Sequence, residues 1–509
     1  MRILLINIQN SGSRPGYRGL YIPFGLAYIS AVLKKNGYAV DVIDLHNEEV
    51  LNGGHLDYLG RLMSQGISKY DVVGFGGTFL KFKILKSLSE KICEVDKNIF
   101  QIAGGHMATL SADIILKETK VNCVCLYEGE ETIVELLAKI KDAALWEGVK
   151  GIKYLDHSRG EIIETPPREK ITDLDNIPFP DREIWSFDII RKCFPYGSPG
   201  RYSAAMLASR GCPFQCIFCN STSGRRLRLR SAENIVSEMK YLKERWNIGF
   251  IRFLDEVFIG AKDKIKELCD LMIEEKLDLF WTCQTQLKLV DEDLLKVMKK
   301  AGCIEITYGV ESGSNRILAE MKKGITRELS REIIELTNRV GIRPSLNLLA
   351  GTPSENLETL QETRDFILSL NYINWIEIPR IDFVVPLPHT ELYNLAKEGG
   401  FINDEKKYVT EGLLELAKHS KTINLTQMTD REFVESVALC NKEIINNFYE
   451  KHSYRKILSF FGFDYLRVDL ILKNFSFRQL KPISEAFAWA TLGKRNNYFN
   501  KFTNRFIYG

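Results

Sequence analysis

No apolar run in this 509-residue sequence is long enough to span a bilayer, neither sign of charge dominates, and proline is scarce. The first absence argues against a membrane-spanning helix. The second, a net charge of only +3, argues against a protein built mainly to grip nucleic acid. Met1-Arg2-Ile3-Leu4-Leu5-Ile6-Asn7 has no basic leader followed by a long apolar stretch and a small-residue cleavage site, so it reads as a first strand. A cytoplasmic chain is the expectation, and there cysteines stay reduced. What remains, 45% hydrophobic and 27% charged residues, is the composition of a soluble globular protein. Its length predicts two or three domains.

Clustered thiols in such a chain are better read as metal ligands than as disulfides. Of eleven cysteines only Cys212, Cys216 and Cys219 cluster, in a C-x3-C-x2-C spacing just after an apolar run. One tight loop can then present three thiolates to a single inorganic centre. A closed zinc site normally takes four protein ligands, whereas a cubane iron-sulfur cluster on three cysteines keeps one iron open for a small molecule. A zinc knuckle or a chance triplet is the alternative. Cys93, Cys123, Cys125, Cys193, Cys269, Cys283, Cys303 and Cys440 show no second such spacing and read mostly as small core residues.

Over residues 1–144 short apolar runs alternate with amphipathic stretches: Ile3–Ile8, Ala39–Ile43, Val72–Phe75, Ile99–Ala103 and Cys123–Leu126. The pattern predicts an α/β domain with a parallel, doubly wound sheet, whose ligand would bind at the strands' carboxyl ends. Those ends carry Gly76-Gly77-Thr78, Gly104-Gly105-His106 and Glu128-Gly129, so glycine stands where a bulky ligand would approach backbone. Glycines that merely end strands are the plainer reading. With Pro23-Phe24-Gly25-Leu26-Ala27-Tyr28, the strings Ala103 to Thr109 and Glu128 to Thr132 resemble the Rossmann-like cobalamin-binding domain found ahead of many radical enzymes. The resemblance implies cobalamin contacts from Gly76, Thr78, Gly104, Gly105, His106, Glu128 and Gly129. Asp44-Leu45-His46 begins the loop that ligates cobalt in other cobalamin proteins, but Glu49 stands where that loop has glycine. His46 is therefore read as an ordinary loop histidine, and the cobalt as lacking a protein ligand on its lower face.

Residues 145–202 read as a connector: a small hairpin around His157-Ser158-Arg159-Gly160, then six of the 15 prolines between Pro166 and Pro199. Over residues 203–400 six strand-helix pairs follow, with strands at Ala204–Ser209, Phe250–Leu254, Phe280–Gln284, Glu305–Val310, Ser345–Leu349 and Ile376–Val385. They predict a partial (β/α)6, TIM-like barrel whose site lies on loops after the strands. The cysteine loop follows the first of them. With Phe218 just before its third cysteine, it resembles the signature of the radical S-adenosylmethionine (radical SAM) superfamily.

That resemblance implies a 4Fe-4S cluster on Cys212, Cys216 and Cys219 whose open iron chelates S-adenosylmethionine, giving a 5'-deoxyadenosyl radical on reduction. It implies S-adenosylmethionine contacts at Phe218, at Asp255 and Glu256 for the methionine ammonium, at Glu311 and Ser312 for the ribose, and at Gly351 beside the adenine. Taken singly, these residues also serve as helix caps and turns. Gln286 stands where relatives often have arginine, which bears on substrate charge.

Residues 401–509 are predicted helical. From Lys451 onward eleven Lys or Arg face three Asp or Glu, with fourteen aromatic residues interleaved. Such a segment suits a plain helical cap, a substrate lid or a peripheral membrane contact. Nothing resembles a tRNA-binding module, and the first domain lacks a second cysteine trio, which disfavours a methylthiotransferase of tRNA. The expectation is a cobalamin-dependent radical SAM methyltransferase acting on an unactivated carbon of a small-molecule or lipid substrate. It would need an external electron donor such as flavodoxin or ferredoxin. The alternatives are a radical cyclase or rearrangement enzyme using cobalamin without net methylation, and a non-catalytic iron-sulfur or cobalamin sensor.

Overall fold

Along residues 2–7 side chains alternate faces with the two-residue period of a strand. Ile3 and Leu5 pack with Leu26, Leu33, Ile133 and Leu136, whereas Leu4 and Ile6 pack with Leu85, Leu88, Ile92 and Ile115. This strand is thus apolar on both sides and must be covered twice, which is the doubly wound arrangement. The structure, a computed structural model, describes residues 1–9, 22–77, 81–185, 202–370, 378–413 and 423–451.

The first sheet contains β1 (Arg2–Asn7), β2 (Ala39–Asp44), β3 (Val72–Gly76), β4 (Phe100–Ala103), β5 (Cys123–Cys125), β6 (Ile152–Asp156) and β7 (Glu161–Glu164). Their order is β2-β1-β3-β4-β5-β6-β7. The first five are parallel. The hairpin β6–β7, expected within a connector, instead extends this sheet antiparallel from β5. Aromatic packing explains the attachment: Trp146 stands edge-on to Phe100 at 5.0 Å and to Tyr154 at 5.4 Å between ring centroids.

The second sheet is all parallel and curls into a half-barrel. Its strands are β8 (Tyr202–Met206), β11 (Ile248–Phe253), β12 (Phe280–Thr285), β13 (Cys303–Glu311), β14 (Arg343–Ala350) and β15 (Ile381–Phe383), in the order β15-β14-β13-β12-β11-β8. Between β8 and β11 a short antiparallel ribbon, β9 (Ser209–Arg210) with β10 (Arg228–Leu229), brackets the cysteine loop. Covering helices start and stop where the sequence places caps. Thr326 accepts the Leu329 N–H at the head of Arg327–Val340, and Gly341, at φ +86°, ends it.

The connector is packed rather than loose. Asp181 accepts from Ser30 at 2.6 Å and pairs with Lys34 at 2.7 Å. The Trp185 indole donates to Asp44 at 2.8 Å. Buried Arg182 donates to the Ala205 carbonyl at 2.9 Å and to Glu238 at 2.7 Å, and Glu238 also takes Arg230 at 2.6 Å. His46 is not in a loop: it is buried in the helix Leu45–Leu51, which Asp44 caps. Met107 and Leu110 of the first domain share an apolar cluster with Ile217, Val384, Leu392 and Tyr393 of the barrel.

The described part of the C-terminal region includes the helix Asp430–Lys451, which seats Phe433, Val437, Cys440 and Ile444 in the barrel core. The basic aromatic segment from His452 onward, Cys193, and the beginning of the predicted last barrel strand lie outside the described residues. Among the described residues no helix is long and apolar enough to cross a membrane.

Glu238 is fully buried between two buried arginines. Replacing it with alanine leaves both cations without their carboxylate. Glu238→Ala should cost about 3–5 kcal/mol of stability, read as a lower denaturant midpoint with an unchanged slope.

Candidate active site

The cysteine loop begins where β8 has ended, and a neighbouring strand holds its root. Asp255, following β11, accepts the Ala208 N–H at 2.9 Å and the Ser209 hydroxyl at 2.6 Å on one oxygen. Gly211, at φ +96°, comes next, where any Cβ would run into the Arg226 carbonyl. Cys212 N–H then donates to Gly224 O at 3.0 Å, Ile217 N–H to Met321 O at 3.2 Å, and Leu392 N–H to Ile217 O at 2.9 Å. The Arg225 guanidinium donates to the carbonyls of Phe214 and Cys219.

Cys216 is buried, Cys212 half-buried and Cys219 exposed. Among the described residues no three Cys, His, Asp or Glu side chains converge tightly enough to form a metal site as they stand. The three thiols nevertheless share one electrostatic environment. Surrounding protein raises each pKa, to about 12 at Cys219, while Arg225 pulls all three the other way. A cation beside three thiols fits ligands that bind as thiolates.

The other barrel strand ends present a mixed outcome. Asp255 is buried and pushed up to about 7 by burial. It is a latch for the loop's root and not the open carboxylate expected for an ammonium group, although its second oxygen has no protein partner. Glu256 stands on the solvent-reached rim and accepts from Ser221 at 2.5 Å. Crowding by neighbouring protein raises its pKa.

At β13 the register slips between Gly309 and Glu311, and Glu311 takes a left-handed φ of +69°. That bulge re-aims its carboxylate, which accepts from Lys323 at 2.8 Å in a buried pair. Gly309 provides the room, since a Cβ there would sit 2.8 Å from Lys323 Nζ. Burial opposes the Lys323 charge, but Glu311 and then Cys216 raise its pKa overall. Lys323 also lies 6.0 Å from the centre of the Phe218 ring, and Gln286 donates to its carbonyl at 3.1 Å.

Ser312 does not join this group. It is fully buried, paired with Thr363 at 3.0 Å and accepting from Ser314 N–H, so the expectation of a ribose contact is corrected. Gly351, at φ +122°, donates its N–H to Glu355 at 2.6 Å. A Cβ there would press on Val384 at 3.0 Å. Sequence reading missed Lys323 and Arg225. Lys323 sits beside Lys322, an exposed partner of Glu391, and no local pattern separates the two.

Across from the loop, a cavity of about 230 Å³ opens at the carboxyl ends of β1, β3, β4 and β5. Gly76, Gly104, Gly105, His106 and Gly129 line it, with Tyr127 and apolar residues of the sheet-helix layer. Thr78 lies outside the described residues. Gly105 carries φ +95°, and a Cβ would stand 3.3 Å from the Gly77 carbonyl. His106 Nδ1 meets Thr222 Oγ1 at 3.1 Å, tying the cavity rim to the stretch just after Cys219. Burial lowers the His106 pKa, which favours the neutral ring.

Glu128 does not line the cavity. Its carboxylate takes Arg228 at 2.7 Å and Arg210 at 3.4 Å, and accepts Ile171 N–H at 3.0 Å. The neighbouring Glu130 takes Arg210 at 2.6 Å. Glu128 is thus a clamp from the first domain onto the β9–β10 ribbon rather than a cobalamin contact. The lowered pKa of Glu128, against its burial, comes from these arginines.

A family model of the radical SAM superfamily matches residues 206–367, and one of the B12 binding domain matches residues 17–137. Over 439 residues the chain is 26% identical to an uncharacterized methyltransferase of Pyrococcus horikoshii, covering 85% of this chain and 91% of that one. It is 27% identical to an anaerobic magnesium-protoporphyrin IX monomethyl ester cyclase of Rubrivivax gelatinosus, over 80% of this chain and 72% of that one. With the cytidylyl-2-hydroxyethylphosphonate methyltransferase of Streptomyces wedmorensis it shares 25% identity over 86% and 88% of the two chains. The fold is similar to that of the radical S-adenosylmethionine methyltransferase TsrM from Kitasatospora setae, with a TM-score of 0.62, 18% identity, and coverage of 78% of this chain and 76% of that one.

The buried Glu311–Lys323 pair gives a test of this geometry with a defined sign. Lys323→Met should cost about 3–5 kcal/mol near neutral pH. The double variant Lys323→Met/Glu311→Gln removes both charges together and should recover most of that loss. Denaturant unfolding of the three proteins reads the outcome; a double variant no more stable than Lys323→Met would contradict the pairing.

Proposed function

We propose that this chain, whose residues 206–367 match the radical SAM superfamily and residues 17–137 the B12 binding domain, is a cobalamin-dependent radical SAM methyltransferase acting on an unactivated carbon of a small molecule. The observation that carries the reading is the juncture of the two halves. The cavity of the first domain and the cysteine loop meet at the His106–Thr222 contact, and both are matched by their own family model. When bound, a 4Fe-4S cluster supplies one-electron cleavage of S-adenosylmethionine, and cobalamin supplies a methyl carrier.

We assign Cys212, Cys216 and Cys219 as the cluster's ligands. Arg225 steadies their loop and offsets thiolate charge. Glu311 and Lys323 offer one carboxylate and one ammonium beside Cys216. Such a pair matches the opposite charges of an α-amino acid end group, as S-adenosylmethionine carries. The glycine-lined, largely apolar cavity suits part of a cofactor that approaches backbone closely.

A second reading, a cyclase without net methylation, is favoured by the similarity to the Rubrivivax gelatinosus cyclase. Products separate the two. After anaerobic reconstitution with iron, sulfide and cobalamin, and with S-adenosylmethionine, a low-potential reductant and host extract as substrate source, the methyltransferase should form 5'-deoxyadenosine and S-adenosylhomocysteine together. A cyclase should form the first without the second. Cys216→Ala should lose cluster absorbance and nucleoside formation while keeping the corrin spectrum. Retained turnover in that variant would contradict the assignment of the loop.

A further inference from the structure

The two faces of the second sheet are unlike. On the side toward the helices Ile251, Phe253, Trp281, Cys283, Ile306 and Tyr308 are buried in the barrel core. The alternate positions face the concave side and are polar on four neighbouring strands. Arg252 of β11 is the register partner of Thr282 of β12, Gln284 of β12 is that of Thr307 of β13, and Thr307 is that of Ser345 of β14. Two residues further on, Gly309 lies beside Asn347. A closed barrel fills this side with branched apolar residues, and a parallel sheet is ordinarily buried on both faces. Here the side is open: Asn347 is exposed although its strand is paired along both edges, and Arg252, Gln284, Thr307 and Ser345 are half-buried.

Few of these polar groups are used by the protein itself. Gln284 donates to the Asp255 carbonyl at 2.6 Å, and Glu305, Arg343 and Asp382 on the same face already have partners. Among the described residues the side chains of Arg252, Thr307, Ser345 and Asn347 have no hydrogen-bond or ion-pair partner. One guanidinium, two hydroxyls and one amide thus reach into the concavity unclaimed. The carboxyl end of this face runs into the cysteine loop. Leu349, the next residue of β14 on this side after Asn347, packs with Ile217 and Phe218, and Gly309 borders Lys323 Nζ.

We propose that this concave face seats the substrate and selects a hydrophilic small molecule with an anionic group: Arg252 holds a carboxylate or phosphate, and Thr307, Ser345 and Asn347 hydrogen-bond hydroxyl or amide groups. The inference rests on the function proposed above and names a substrate class for it. A guanidinium meets either anion with paired N–H donors. Covering the same face with an apolar ligand would strip water from four polar groups and return no hydrogen bond to any of them. The face therefore rejects a lipid. Arg252 acts here as a specificity residue and takes no part in bond breaking.

The test is equilibrium dialysis of the full reconstituted chain, with cluster and cobalamin bound and no reductant. The probes are the aqueous and lipid fractions of host extract, each with labelled S-adenosylmethionine added, and retained compounds are identified by mass spectrometry. Wild type should retain a polar carboxylate or phosphate ester from the aqueous fraction. Arg252→Gln should retain at least about tenfold less of it, and Arg252→Lys should keep most of it. Asn347→Leu, at an exposed position, should weaken retention several-fold, so the test survives an Arg252 variant that misfolds. Iron content and retained S-adenosylmethionine should match wild type in each. Retention that neither Arg252→Gln nor Asn347→Leu weakens would overturn the proposal, as would retention of lipids or uncharged compounds alone, or none at all. Loss of S-adenosylmethionine from Arg252→Gln would also overturn it, by making that ligand's carboxylate the anion at Arg252. A wild type that retains the anion but, once reductant is added, forms neither 5'-deoxyadenosine nor S-adenosylhomocysteine would contradict the function while upholding the seat. Both products formed from the lipid fraction alone would do the reverse.

Discussion

Glu128 holds two arginines that flank the cysteine loop in sequence, Arg210 before it and Arg228 after it. A charge-assisted pair of this kind, nearly closed to solvent on both sides, fixes distance and direction together. Every part of the proposed site depends on it. The cavity lies on one side of the clamp, since Tyr127 and Gly129 line it and Glu128 stands between them. The cysteine loop lies on the other. His106 and Thr222 close the same gap a second time, and Met107 and Leu110 of the short helix His106–Leu110 share an apolar cluster with Ile217. Two domains that could hinge are thereby set as one framework for two large cofactors.

On the barrel side the same economy recurs with different chemistry. Strand ends supply latches as well as contacts. Asp255 gives one oxygen to the root of the loop, and a bulge with left-handed Glu311 turns a carboxylate toward Lys323 in the space Gly309 leaves open. Gln286 donates to the Lys323 carbonyl, so its amide does local structural work beneath that ammonium.

Much of this was legible in the residues. Strand positions follow from alternating apolar runs, because a parallel sheet must bury both faces, and the first five strands fall within a residue or two of their predicted limits. The cysteine trio was legible because its spacing is local. Gly76, Gly104 and Gly105 line the cavity at the strand ends, where the alternating pattern places them. What stayed hidden depends on partners far along the chain. Nothing near Glu128 announces an arginine 100 residues later, and Ser312 looks as suited to a diol as to the Thr363 hydroxyl it meets. Lys323 is indistinguishable from Lys322 until the fold buries one and exposes the other. The hairpin β6–β7 read as connector because its pairing edge, β5, is set by tertiary packing and not by its own pattern.

The central claim is that corrin and cluster occupy adjoining halves of one site, joined at His106 and Thr222. Electron paramagnetic resonance of the protein loaded with cob(II)alamin and a 4Fe-4S cluster addresses it directly. Reducing the cluster should speed relaxation of the cobalt signal in wild type, because two paramagnets in one site couple magnetically. A cobalt signal whose relaxation is indifferent to the state of the cluster, with both cofactors bound in stoichiometric amount, would contradict the account.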